Sequence, residues 1–121
     1  MPFEVIMGQD SILRIFLSGD LDEVLLDRFN RDLAPFIGAS TPEQPLKRMV
    51  YFQGIEQISP ALRRYLASLN QDERIGKTAY IKPSRHARVL AQFINKATGR
   101  ENIATFDQED EALKWFRIHH K

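Results

Sequence analysis

Two hydrophobic periods alternate along the chain. Near its start Phe3, Val5 and Met7 stand two residues apart, and Leu13, Ile15 and Leu17 repeat the spacing with Arg14, Phe16 and Ser18 between them. A period of two sends successive side chains to opposite faces of a strand. Gly8, Asp10 and Ser11 supply turn chemistry between the runs, so the pattern predicts a hairpin. The period then lengthens. In "GDLDEVLLDRFNRDLAPFIG", Leu25, Leu26, Phe29, Leu33 and Phe36 share one helical face. Asp20 and Glu23 have capping-box spacing at its start, Pro35 should weaken or bend the last turn, and Gly38 can end it.

"ASTPEQP" is rich in proline and small polar residues, and short enough for an internal connection rather than a domain linker. "LKRMVYFQGIEQI" contains a strand, most secure over Met49 to Phe52, where the apolar run predicts burial on both faces; Gly54 marks an irregular exit. Ser59 before Pro60 is the favoured pairing of N-cap and first helical residue, and Leu62, Tyr65, Leu66 and Leu69 follow at helical spacing. "TAYI" reads as a strand, "SRHARVLAQFINKATG" as a helix capped by Ser84 and ended by Gly99, "NIATF" as a strand, and "DQEDEALKWFRIHHK" as a last helix. Asp107, Glu109, Asp110 and Glu111 precede Lys114, Arg117 and Lys121 there, a polarity that complements the helix dipole. The order ββαβαβαβα predicts a single α/β domain over residues 1–121. It should be a mixed, mostly parallel five-stranded sheet with four helices, its first strand antiparallel at one side.

Composition narrows the class. The 121 residues suffice for one two- or three-layer core, and 43% hydrophobic with 27% charged residues is a globular balance. Lys and Arg total 17 against 16 Asp and Glu, which gives no global attraction to nucleic acid or an anionic membrane. Cysteine is absent, which removes disulfides, thiol nucleophiles and cysteine metal sites. No apolar run approaches the roughly 20 residues of a membrane span, and the first residues lack the basic and apolar regions of a signal peptide. A cytoplasmic protein, not integral to a membrane, is the expectation.

The element order, with "LRIFLSGDLD" entering the first helix, "MVYFQGIEQIS" entering the second, "GKTAYI" as the fourth strand and "ATFDQEDEALKWF" at the end, resembles the STAS family of bacterial anti-sigma-factor antagonists. It is similar to the divergent SpoIIAA-like or STAS/SEC14-like branch. The resemblance implies a non-enzymatic regulatory module that contacts a protein partner through the second helix and the turn before it. In the switching antagonists that turn reads approximately Asp-Ser-Ser-Gly, with a phosphorylated serine. Here Ser59 falls at the aspartate position and Pro60, Ala61 and Leu62 occupy the rest, so the phosphoswitch does not carry over.

The resemblance makes Gln57, Ser59, Ala61, Arg63 and Arg64 the candidate partner-binding residues; exposed arginines suit interface anchors and equally suit a solvated helix face. Ser59 itself suits a helix cap better than a modification site. A second set, Lys82, Ser84, Arg85 and Arg88, places cations around a helix N-terminus that could hold an anionic metabolite, a nucleotide or a lipid headgroup, or serve only as a capped, solvated helix start. His119 and His120 are adjacent and cannot form an i, i+4 metal pair, while His86 has no evident companion, so no metal, cofactor or catalytic residue is expected. Asp20 and Asp22 suit capping better than acid–base work. Trp115 and Phe116 suit core-edge packing of the last helix. A homodimer through a sheet edge or apolar helix face is compatible with the pattern.

Overall fold

A computed structural model describes residues 3–19, 23–53 and 58–118. Strands β1 (Phe3–Met7) and β2 (Ile12–Ser18) form the hairpin, followed by α1 (Glu23–Gly38), β3 (Leu46–Gln53), α2 (Pro60–Leu69), β4 (Ile75–Ile81), α3 (Arg85–Thr98), β5 (Ile103–Phe106) and α4 (Glu109–Ile118). The five strands lie in sequence order in one sheet, β1 antiparallel to β2 and the other pairs parallel. The predicted architecture is thus present, and β4 begins earlier than "TAYI" because Ile75 and Gly76 also pair or pack against β3. A Cβ at Gly76 would lie 2.9 Å from Pro45 Cβ, so this close approach requires glycine.

Sequential strand order has a geometric consequence. Each of the three crossovers β2–α1–β3, β3–α2–β4 and β4–α3–β5 steps the same way across the sheet, and their right-handedness puts all three helices on one face. The main core forms there. Leu13, Ile15, Leu17, Val50 and Tyr80 meet Phe29 and Leu33 of α1, Leu62 of α2 and Leu90 and Ile94 of α3. The opposite face is covered by α4, whose Ala112 and Phe116 bury Ile12, Met49, Ala79 and Ile81. Trp115 sits at the edge of this second core, 5.4 Å from Phe106, with Lys77 Nζ 5.4 Å from its ring centre. Phe36 is half-buried as the helical face predicts, and the helix runs through Pro35 to Gly38. The side chains of Leu25 and Leu26, and the capping pair expected at Asp20 and Glu23, lie outside the described residues and side chains.

A polar clamp closes one end of the main core. Asn70, buried at the end of α2, exchanges hydrogen bonds with Asn102 at 3.0 and 2.8 Å, and Asn102 also donates to the Gly76 carbonyl at 2.9 Å. Arg100 donates to the carbonyls of Asn70, Asp72 and Ile75 at 2.6, 3.2 and 2.8 Å. These residues tie the ends of α2 and α3 to the start of β4, satisfying backbone oxygens that would otherwise be buried without partners. Truncating one member orphans the others. Asn102→Leu should therefore lower stability by about 2 kcal/mol in urea titration, with little change in the slope.

Beside the clamp, Asp72 forms a two-point ion pair with Arg74. The side-chain hydrogen bonds from Arg74, then its backbone N–H, hold the Asp72 carboxyl at about 2, below its ordinary 3.8. A depressed acid stabilises the fold above its unfolded value and loses that contribution as pH falls through its folded one. Asp72→Asn should lower stability modestly at neutrality, flatten the profile between roughly pH 4 and 2 and converge on the wild type below that window, measured by thermal unfolding from pH 7 to pH 2.

Candidate functional site

The helices α2 and α3 follow β3 and β4 and begin at the same end of the sheet, beyond the carboxyl ends of adjacent parallel strands. This is the end where open α/β sheets bind ligands. Ser59 enters α2 with extended backbone (φ −66°, ψ 149°), and its Oγ accepts from the Leu62 N–H at 3.1 Å, with Pro60 in the first turn. Ser84 likewise accepts from the Ala87 N–H at 3.3 Å to start α3. Both serines thus cap helices.

The two candidate sets converge in part. Arg63 projects from α2 toward α3, its guanidinium carbon 5.7 Å from the Phe93 ring centre. Arg63 also lines a cleft of ≈ 170 Å³ with Ile58, Arg85, His86, Val89 and Leu90. No carboxylate is among these lining residues, and Val89 (51% exposed) and Phe93 (37%) extend the surface as apolar ground. Arg64 is exposed and Ala61 half-buried on the same helix, while Gln57 lies outside the described residues. Of the second set, Arg88 turns to the end of β5, donating to Asp107 at 3.1 Å and Thr105 at 3.4 Å. Lys82 is exposed in the turn before α3 at φ 47°, a conformation uncommon for a residue with a side chain, and its N–H is tied to the Phe106 carbonyl at 2.8 Å. Arg85 is therefore the residue of that set that joins the cleft with Arg63.

Other groups lie elsewhere. A larger open cleft of ≈ 350 Å³ at the opposite end of the sheet is lined by Asp10, Ile12, Lys47, Leu113, Phe116 and Arg117, with charges of both signs. On the α4 side, the Tyr51 hydroxyl donates to Glu109, and burial followed by that carboxylate pushes the phenol up. Arg14 pairs with Asp10 at 2.9 Å and approaches Glu109 at 3.8 Å. Among the described residues, no group of three or more His, Cys, Asp or Glu side chains gathers to hold a metal. No helix among them is long and apolar enough to cross a membrane. His119 and His120 lie outside the described residues.

One buried charge is absent from the sequence reading. Arg48 of β3 is only 6% exposed, on the core face among Leu46, Val50 and Tyr80. Its Nε donates to Thr78 Oγ1 at 3.0 Å. The signal was present, since Leu46, Arg48, Val50 and Phe52 keep the period of two that sends alternate residues inward.

A family model described as SpoIIAA-like matches residues 12–117. The chain belongs to the SpoIIAA-like family. Its fold is similar to that of an uncharacterized protein of Shewanella loihica PV-4 with a SpoIIAA-like fold, at 15% identity and TM-score 0.68 over 93% of this chain and 90% of that one. The anti-sigma factor antagonist SpoIIAA in its unphosphorylated form gives 18% identity and TM-score 0.64 over 97% of each chain. An anti-sigma factor antagonist from Mycobacterium paratuberculosis gives 15% and 0.63 over 95% of this chain and 92% of that one. No curated protein matches the chain in sequence.

In this SpoIIAA-like chain the turn into α2 reads Ser59-Pro60-Ala61-Leu62, and its serine hydroxyl is already engaged with the Leu62 N–H. Losing such a cap typically costs about 1 kcal/mol. Ser59→Ala should lower stability by that amount in chemical denaturation and Ser59→Asp should restore it, since aspartate also caps helices.

Proposed function

We propose that this chain is a cytoplasmic, non-enzymatic regulatory module that docks a protein partner through the cleft between α2 and α3. The carrying observation is the convergence of Arg63 and Arg85 on one acid-free cleft flanked by exposed Val89 and Phe93. Arginines beside accessible apolar side chains are the usual composition of interface anchors. The matching partner surface is acidic with an apolar projection that fills the cleft. The SpoIIAA-like family supports the reading, because two structural neighbours are by name anti-sigma factor antagonists. Regulation works without a phosphoserine in the turn into α2, where Pro60, Ala61 and Leu62 follow the capping Ser59.

Affinity capture separates this reading from its rivals. Wild type should retain a specific partner, and the folded Arg63→Glu, Arg64→Glu variant should lose it at least tenfold, because reversed charges meet the partner's acids at close range. Arg117→Glu, at the opposite end of the sheet, serves as the charge control and should retain it. Equal capture by all three proteins sinks the docking model. Loss in both variants points instead to non-specific charge attraction.

A further inference from the structure

Arg48 sits in an unusual position for a guanidinium. It lines a small cavity of ≈ 20 Å³ on the helix-covered face, whose other walls include Ile15, Val50, Phe52, Leu66, Tyr80 and Leu90. Arginine stays protonated in proteins, and an isolated buried charge is costly unless an opposite charge meets it. Among the described residues no carboxylate does so. Arg48 hydrogen-bonds through Nε to Thr78, and among the described residues neither Nη nitrogen has an acceptor. A fully enclosed side-chain nitrogen without a partner occurs among the described residues only at Lys77, so the free Nη groups of Arg48 retain some accessible surface, and Arg48 is among the residues that line the cavity.

The surroundings sharpen the charge imbalance. Burial pushes the Arg48 guanidinium down, and the nearby Arg100 cation pushes the same way. Tyr80 and Tyr65 are the groups that favour its charge, yet neither is an anion at neutral pH. Burial pushes the Tyr80 phenol up to about 12 and raises that of Tyr65 as well. Tyr80 is a neutral hydroxyl, and it has no hydrogen-bond partner among the described residues. Two donors without acceptors, one of them cationic, therefore border a small and otherwise apolar space.

We propose that this cavity is a binding site for a small monovalent anion of halide size, held by the Arg48 guanidinium and the Tyr80 hydroxyl. Size sets the class. The space admits about one water-sized particle, for which roughly 10–15 Å³ suffices. A chloride or bromide ion fits with little adjustment, whereas a nucleotide or a fatty acid does not. The apolar walls add selectivity, since a weakly hydrated monoanion loses less on entering than a divalent sulfate or phosphate. The site is separate from the Lys82–Arg85 helix start, and it stands whether or not the neighbouring cleft docks a partner.

Chloride-35 NMR linewidth in the presence of the intact protein reads exchange of the ion directly. Wild type should broaden the line, added bromide should reverse the broadening by competition, and sodium isethionate at equal ionic strength should not. Arg48→Met should abolish the effect, and it should fold well, because an apolar side chain of similar length suits these walls. Tyr80→Phe keeps the ring and removes only the hydroxyl, so halide affinity should drop roughly tenfold. Thermal unfolding supplies a second readout: chloride should raise the wild-type midpoint above its value in isethionate, and this difference should vanish in Arg48→Met. Linewidths equal in wild type and Arg48→Met overturn the proposal, as does broadening that isethionate reverses as well as bromide.

Discussion

The arrangement depends on one constraint, that the central parallel strands must be buried on both faces. β4 shows it most clearly: Ile75, Thr78 and Tyr80 face the three crossover helices, and Ala79 and Ile81 face α4. Parallel neighbours can be joined only by crossovers, and crossovers that step in one direction all land on one face. The other face would then be bare apolar sheet. The final helix resolves this by folding back after β5, with the acids of its first turn suited to the positive end of its dipole. The same geometry gathers the N-termini of α2 and α3 at the carboxyl end of the strands. The cleft is a by-product of making the sheet dry.

Charge is treated in two ways inside this frame. At one end, Arg100 is surrounded by three carbonyls and the Asn70–Asn102 pair, so each buried polar group there has a partner and the ends of two helices are pinned. On the core face of the sheet, Arg48 has one hydroxyl and, among the described residues, no anion. A well-packed apolar residue in place of a buried charge is often neutral or stabilising by about 1–4 kcal/mol. Arg48 is therefore poorly explained by folding alone, whereas Arg100 is well explained by it. The difference between them is the reason to read one as structure and the other as a site.

Much of this was legible in the sequence because period and punctuation agree. The period of two in β1 and β2, the serine caps of α2 and α3 and the glycine end of α3 are local features, and local features read directly from residue order. Trp115 at the edge of the second core follows from the stripe of α4 in the same way. The candidate site was less legible. Arg63 and Arg85 lie on different helices and meet only because their crossovers are adjacent, which no spacing along the chain encodes. Arg88 looked like a companion of Arg85 one turn on, but the end of β5 brings Asp107 to it. Arg48 was missed for another reason: a charged residue beside the run Met49 to Phe52 reads as the strand's exposed start, although its parity places it inside.

The cavity and the cleft are not independent pieces of architecture. Leu90 of α3 lines both, so one side chain separates the space beneath the helix from the surface above it. A group held against Arg48 would lie on the inner side of Leu90, and a projection seated in the cleft would lie on its outer side. Protein interiors are too closely packed for such a residue to yield without moving its neighbours, Phe52 and Leu66 among them. If either occupant shifts Leu90, the resulting coupling is mutual, because linkage between two binding sites is reciprocal. With Ser59-Pro60-Ala61-Leu62 at the turn into α2, this shared wall would be a physical path from a small ion to a protein surface.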